Sequence, residues 1–484
     1  MPNAHDLVRY PDLPFPQTHP VALGAFAALF GKPYAPFAAS RVLEIGCGGG
    51  VNLLNMALGA PASEFVGVDL AEQPIALARA AAQASGLGNV RFDVQDIRDM
   101  DAALGRFDYI IAHGVYAWVP AAVSQALMRI AGELLSANGL ALISYNAYPG
   151  CHLRQVVRDI LLIATRGIVD PVEKLKVARS VLADQIDSWS EADSLGRAMI
   201  RTARRILDQP PEVLFHDELT AFYEPQLLSD VIAAAGQVGL DYLCDSQPQF
   251  CAEAFFPSEK FASARVKASG DWGRFEQLMD FSEMCSFRSS IFCRGGGIDR
   301  RREAQRLRGL WASGDLRAVQ PDPEEPDSFA FRCDEGAKIT TNNPKAARFL
   351  ASLAAAYPSS VALDAAAEEP GLVEYVLTLF VSNVIRICTA PLSFAKIPGD
   401  RPVASPLARF QAARGEKTLA SLRHCSVDLE DASSLAFITL LDGTRTRDDL
   451  AREVAAQAGA TAKAATAKVS AALSDLTRLG LMVG

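Results

Sequence analysis

An α/β protein built on a largely parallel sheet is predicted by three observations. Residues 41–50, RVLEIGCGGG, set an apolar run (Val42, Leu43, Ile45) directly before a cluster of glycines, and a helix-forming stretch at 51–60 follows at once. That order is a buried strand, a tight turn and a helix N-terminus. Further apolar strand-like runs recur at 64–70 (EFVGVDL), 107–112 (FDYIIA) and 140–145, separated by helical patterns. Alternation of this kind predicts crossover units and a parallel sheet.

The glycine turn narrows the ligand. Glycine removes the Cβ where a ligand must lie against backbone, and it adopts dihedrals that other residues resist. Counted from Gly46, the dinucleotide fingerprint needs a glycine at the position held by Val51, so G-x-G-x-x-G fails. The pattern E-x-G-x-G-x-G, with Glu44, Gly46, Gly48 and Gly50, fits instead. Asp69 closes the second strand about 20 residues beyond the turn, where an acid can accept both hydroxyls of a ribose. On its own, a glycine turn after a strand is common in α/β proteins.

At these residues the chain resembles the class I S-adenosylmethionine-dependent methyltransferases, whose cofactor is S-adenosyl-L-methionine. The resemblance implies a Rossmann-like seven-stranded methyltransferase sheet. In it Gly46, Cys47 and Gly48 line the methionine part, Glu44 orients the glycine loop or that end of the cofactor, and Asp69, with Leu70 beside it, holds the ribose. After a helix at 72–85 and a third strand at 89–94, Asp96 and its neighbour Ile97 occupy the place where such enzymes hydrogen-bond the adenine amino group. As residues alone, Asp96 also reads as a loop-initiating Asp.

The N-terminal arm, 10–20, is fixed in an extended path by its prolines, and a helix follows at 21–30. PFPQTHP in this arm, SYNAYPG at 144–150, FHDELTAFYEP at 215–225 and PLARFQAARG at 406–415 resemble a narrower family. These are bacterial methyltransferases carrying a methyltransferase regulatory domain, and they include rickettsial protein-lysine methyltransferases that act on outer membrane protein B. The resemblance implies that the arm folds over the cofactor, which makes Tyr10, Gln17 and Thr18 candidate contacts.

In doubly wound sheets the reactive centre lies beyond the carboxyl ends of the strands. The loops after the fourth and fifth strands, His113 to Pro120 and Asn146 to Gly150, belong there, and both are rich in aromatics. Residues 136–139 read as a turn before the fifth strand. Methyl transfer is an in-line displacement that relies on positioning and exclusion of water. Aromatic faces favour a cationic sulfonium or methylated ammonium, and Tyr hydroxyls and an Asn carbonyl can orient an amine. Tyr116, Trp118, Tyr145, Asn146 and Tyr148 are therefore the candidate acceptor pocket, with His113 as a base or a cofactor contact. No N-P-P-Y motif follows the fourth strand, which argues against an adenine or glutamine acceptor.

Length and composition frame the rest. A chain of 484 residues calls for two or three domains. The formal charge of −9 argues against general affinity for nucleic acid or anionic membrane. Nine cysteines without a C-x-x-C pair and six histidines without H-x-x-x-H spacing predict neither a disulfide framework nor a metal site. No signal peptide or membrane-spanning run is evident, so a cytoplasmic location is expected.

The expected domains are 1–297, a catalytic domain with a helical insertion at about 151–220 and a regulatory segment at about 213–297, then 298–395 and 396–484, two small winged-helix-like α/β units. An arginine-rich connector, 300–308, opens the middle unit. It is read as helix at 348–354, short helix at 361–366, then helix and strand over 375–387, with an acidic, proline-rich loop at 321–326. Neither unit has a dense basic recognition helix, which disfavours DNA binding.

Protein lysine methylation is the first expectation for function, with a protein substrate and a homodimer as partners. A small-molecule N- or O-methyltransferase that uses its C-terminal units to oligomerise is the second. A non-catalytic S-adenosylmethionine-binding scaffold is the third.

Overall fold

The computed structural model describes residues 8–333, 336–459 and 461–483. Residues 1–7, part of the first expected domain, lie outside them. Seven strands form the central sheet: β1 (Arg41–Ile45), β2 (Glu64–Asp69), β3 (Val90–Val94), β4 (Phe107–Ala112), β5 (Leu135–Asn146), β6 (Asp241–Asp245) and β7 (Phe287–Cys293). Their order is β3-β2-β1-β4-β5-β7-β6. All pairings through β5 are parallel, and β7 runs antiparallel to both its neighbours. Strand order reverses between β1 and β4, so a crevice opens beyond their carboxyl ends, beside the glycine turn.

Residues on a strand alternate between faces, and the two cores follow that alternation. Val42 joins one hydrophobic core, whereas Leu43 and Ile45 join the other. Helices α1 (Pro20–Leu29), α2 (Val51–Gly59) and α3 (Glu72–Ala84) cover the first face, and α4 (Ala121–Leu134) covers the second. The turn expected at 136–139 is absent. Leu135 stands opposite Phe107 and Leu140 opposite Tyr109, so the intervening residues bulge within one continuous strand. Leu135 is fully buried, which anchors β5 directly at the end of α4.

After β5 come α5 (His152–Ala164), α6 (Pro171–Ser188), α7 (Ser194–Leu207) and α8 (Pro211–Glu218). This helical insertion has a core of its own, including Leu161, Leu182, Ile200 and Phe215. α9 (Leu228–Gln237) returns to the second sheet face. Between β6 and β7 lie α10 (Ala252–Phe255), α11 (Ala262–Ala268) and α12 (Trp272–Glu283), which the sequence pattern does not announce. α12 turns Glu276 and Asp280 inward onto the buried Arg288, at 2.9 and 2.5 Å, with Asp245 at 3.7 Å. Inward carboxylates blur the helical apolar period.

The middle unit contains β8 (Trp311–Ser313), β9 (Leu316–Val319), β10 (Phe329–Cys333), β11 (Lys338–Thr341), α13 (Pro344–Ala356), β12 (Val361–Ala362), α14 (Asp364–Ala367), α15 (Pro370–Val381) and β13 (Arg386–Cys388). The short helix expected at 361–366 is instead a two-residue strand, pairing with β8, followed by one helical turn. Residues 321–326 lie in the connection between β9 and β10. This unit shares the first sheet face's core: Phe26 of α1 packs on Phe380 of α15 at 5.4 Å. In the arginine-rich connector, Arg300 donates to the Tyr242 and Leu243 carbonyls and Arg306 to that of Leu29.

The last unit holds α16 (Pro406–Ala413), β14 (Thr418–Ala420), β15 (Ser426–Asp428), α17 (Ala432–Leu440), α18 (Arg447–Ala458) and α19 (Ala462–Arg478). A capping box between Thr446 and Asp449 starts α18. Leu419, Ile438, Leu450 and Leu473 form its separate core. Among the described residues no helix is long and apolar enough to cross a membrane.

Candidate functional site

The glycine turn is shaped by positive φ angles at Gly46 (+72°) and Gly50 (+75°) and by close neighbours. A Cβ on Gly46 would stand 2.4 Å from the Val115 side chain, and one on Gly50 2.6 Å from Phe92. No other residue fits either position. Gly48 donates its N–H to Asp69 Oδ2 at 2.9 Å, and Ala71 donates to Oδ1 at 2.9 Å, so the β2 carboxylate is held against the turn.

The N-terminal arm lies across this turn. Asp12 Oδ1 accepts from the Gly49 N–H at 2.7 Å. Arg9 pairs with Asp12 at 2.9 Å and reaches Glu416 of the last unit at 3.1 Å. Neither Asp12 nor Arg9 was expected from sequence, and pairings spanning tens to hundreds of residues leave no local signal.

Arm and turn enclose a cavity of 400 Å³, bounded by Asp12, Glu44, Gly46, Asp69, His113 and Asn146 among others. That volume lies within the range of small-ligand sites. A second cavity of 210 Å³ adjoins it. The two share Asn146, Arg154 and Phe287 as walls, and the second continues past Cys151, Arg205, Gln209 and Glu218 on the helical insertion.

Two buried polar atoms on the first cavity's walls lack a hydrogen-bond partner among the described residues, Glu44 Oε2 and His113 Nδ1. Burial pushes the Glu44 carboxyl up to about 8, against a hydrogen bond from Asn52 Nδ2 to Oε1 at 2.7 Å. Burial pushes His113 down to about 4, between Phe15 (4.2 Å) and Phe287 (6.1 Å). A carboxyl with one unpartnered oxygen, an apolar-flanked imidazole and glycines that leave backbone bare fit a cationic nucleoside such as S-adenosylmethionine.

At the shared wall Arg154 binds Glu218 at 2.7 Å and Asp217 at 3.1 Å, and it lies over the Trp118 and Tyr223 rings at 5.3 Å. Burial raises both carboxyls, and Arg154 opposes that rise. The Tyr10 hydroxyl also bonds Asp217, and burial of the phenol raises it strongly.

Asn52 closes the back of the site. Its Nδ2 donates to Glu44, so its Oδ1 is free to accept from the Phe15 N–H at 2.9 Å and from His424 Nε2 at 2.8 Å. His424 Nδ1 then accepts from Asn55 Nδ2 at 3.0 Å, which fixes the neutral Nε2–H tautomer. Burial holds His424 well below its ordinary value, in agreement. His424 lies between β14 and β15. The last unit thus reaches the wall of the first cavity.

Of the residues expected here, the first cavity brings together Tyr10, Glu44, Gly46, Cys47, Gly48, Asp69, His113, Trp118 and Asn146. The others stand off that cavity's walls. Tyr145 is in the core, with its hydroxyl sharing a hydrogen bond with Ser290 at 2.9 Å, because adjacent residues on a strand face opposite ways and Asn146 takes the cavity side. Tyr116 packs against Tyr145 in that core at 6.1 Å. Tyr148 stacks on His152 at 4.3 Å, off the cavity wall. Gln17 borders a different cavity, toward the middle unit. Thr18 is buried and braces the arm, donating to the Phe15 carbonyl at 2.8 Å.

Leu70 is 59% exposed. Asp96 is clamped by Arg98 at 2.5 Å and caps its own turn, and Ile97 packs against the second core. His113, neutral and pushed down by burial, is a poor acceptor for an amine's proton. Sequence reasoning missed Asp12, Asn52, Arg154, Asp217 and Glu218, which acquire meaning only through their partners.

Comparison with known proteins gives the family. A methyltransferase domain model matches residues 37–185, a predicted methyltransferase regulatory domain 210–294, and the PKMT C-terminal winged helix domain 400–480. The uncharacterized protein RP789 of Rickettsia prowazekii is 32% identical over 292 residues, covering 60% of this chain but only 52% of that protein. The uncharacterized protein RP028 of the same organism is 36% identical over 204 residues, covering 42% of this chain and 82% of that one. Among solved structures, PKMT2 from Rickettsia typhi superposes with a TM-score of 0.85 at 24% identity, covering 98% of this chain and 100% of that one. The same protein in complex with AdoHcy gives 0.84. These likenesses extend the fold over both C-terminal units. The chain belongs to the class I S-adenosylmethionine-dependent methyltransferases that carry a methyltransferase regulatory domain and a PKMT-type winged helix.

Proposed function

We propose that this methyltransferase transfers methyl groups to lysine side chains of a protein. The observation that carries this reading is the pair of adjoining cavities. One faces the glycine turn, and the other leads from Asn146, Arg154 and Phe287 toward the helical insertion. Such a shape suits a long side chain that enters while its own backbone stays outside. The resemblance to rickettsial protein-lysine methyltransferases supports the same acceptor. A cytoplasmic location belongs to this reading and is supported by nine unpaired cysteines.

The bound cofactor supplies an activated methyl group on a sulfonium. The chain's residues must position the amine and strip its proton, since only the free base has the lone pair. Desolvation in this enclosed site lowers an ammonium's pKa. Asp217 borders the inner cavity and Glu218 the outer one, and both carboxyls are raised by burial, which suits them to receive the proton. The Asn146 side-chain amide makes no hydrogen bond among the described residues and is free to orient the amine. Trp118 and the arm's Phe15 keep water from the inner cavity.

The test is incubation of the purified protein with radiolabelled S-adenosylmethionine and lysate from its own organism. Label in a protein band, lost with Asp69→Ala and mapped to lysine by mass spectrometry, is the expected result. Label confined to small molecules overturns the protein acceptor.

Glu44 gives a pH signature. Its folded-state value of about 8 lies above the ordinary 4.5, so the unliganded protein holds this proton at neutral pH. The associated stability is complete below pH 4.5 and is lost as pH rises through about 8. A cationic ligand brought beside this carboxyl expels the proton. Titration calorimetry at pH 7 in buffers of different ionisation enthalpy is expected to show release of about one proton per cofactor bound. Glu44→Gln removes the release. Buffer-independent enthalpies in the unaltered protein would sink this assignment.

A further inference from the structure

A groove of 1060 Å³ lies between the middle unit and α19, remote in sequence from the catalytic residues. Its wall is mainly apolar, and α13 contributes small residues there, Ala347, Ala351 and Ala354 among them, which leaves room for an occupant. Phe329 and Ile397 on its margin are 47% and 80% exposed. Apolar groups this open on one concave surface mark an interaction site.

The charges that border it are mostly positive. Arg317, Arg348, Lys396 and Arg478 border the groove, against a single carboxylate, Asp315. Arg478 takes that carboxylate at 2.5 Å. Among the described residues the other three cations have no ion-pair partner, in a chain whose formal charge is −9.

The backbone adds a direction. β9 is an edge strand of the sheet β11-β10-β9. Four consecutive residues, 315–318, border the groove, although neighbours on a strand point to opposite faces, so the groove runs along the strand's edge. Among the described residues Leu316–Val319 make backbone pairings only with β10. An unpaired edge beside an open groove is a template for strand addition.

We propose that this groove docks an extended, acidic segment of a partner protein, which adds to β9 while its apolar side chains fill the groove and its carboxylates meet Arg317, Arg348 and Lys396. The proposal goes beyond the acceptor assignment and holds whichever molecule is methylated.

Fluorescence anisotropy on the full chain tests it, with a short fluorescein-labelled peptide in which Asp alternates with Val and Phe. Saturable binding is expected, weakened about tenfold by R317E/R348E and reduced further by added salt. The same peptide with Lys in place of Asp is expected to bind at least about tenfold more weakly, and N-methylation of alternate backbone amides to remove binding. Absence of binding by the Asp peptide, equal binding by its Lys counterpart, or indifference to R317E/R348E overturns the proposal. A doubling of sedimentation mass with concentration that R317E/R348E abolishes also overturns it, by giving the groove to a second copy. No readout involves methyl transfer, so its failure is separate from failure of the lysine reading.

Discussion

Asp69→Ala is expected to weaken binding of S-adenosylhomocysteine by about 100-fold while changing the unfolding midpoint little. A hydrogen bond to a charged group contributes about 1.5–3 kcal/mol, and loss of two to ribose hydroxyls exceeds the 2.8 kcal/mol or so that 100-fold represents. In the protein alone the carboxylate accepts from the Gly48 and Ala71 N–H groups at 2.9 Å each. Asp69 and Gly48 border the cavity, whereas Ala71 is fully buried, so water must enter the space the side chain leaves to reach both donors, and where it does folding suffers little. Asp69→Asn keeps one acceptor oxygen and is expected to fall between the two. Calorimetric affinity equal to that of the unaltered protein would reduce Asp69 to a pin for the turn and remove it from ligand recognition.

What the sequence displayed of this site is what a local pattern can display. Three apolar positions and a glycine cluster announced β1, its turn and the helix behind it, because strand period and glycine's dihedral freedom are properties of a few adjacent residues. The same locality explains the errors. Tyr145 and Asn146 were both placed in the acceptor pocket on the strength of their loop, yet strand alternation sends Tyr145 to Ser290 in the core and only Asn146 to the cavity. Strands β8 to β11 have three to five residues each, too few for a period to be read. Arg154 became functional through Asp217 and Glu218, more than 60 residues away, and Asp12 through Gly49, 37 residues away. Such meetings belong to tertiary packing, and no spacing rule encodes them.

Asn52→Leu is expected to lower stability by about 3–5 kcal/mol and cofactor affinity by about tenfold, because it orphans several buried groups at once. The substitution keeps the volume, but Glu44 Oε1, the Phe15 N–H and His424 Nε2 each lose their partner. A buried group left unpaired costs about 1–3 kcal/mol, so three of them set the lower end of the range, and relaxation around the leucine keeps the loss near it. His424→Leu removes one of these links and one of the two acceptors of the Asn55 amide, which keeps the Ser421 carbonyl, so a smaller loss of about 1–3 kcal/mol is expected. The comparison decides whether the last unit is an appendage or part of the cofactor site. Asn55 holds the Ser421 carbonyl and His424 Nδ1 of that unit, and two further connections lead on to the site's own walls, Arg9 to Glu416 at the surface beside Asp12 and His424 to Asn52 in the interior. An exposed ion pair is worth about 0–1 kcal/mol, so the interior link must carry the coupling. His424→Leu is therefore expected to weaken S-adenosylhomocysteine binding about threefold, whereas Glu416→Gln leaves it within about twofold of the unaltered protein. If calorimetry finds the His424→Leu affinity unchanged, the winged helix is only packed against the catalytic domain. If affinity falls, whatever docks on the C-terminal units can act on the cofactor through Asn52 and Glu44.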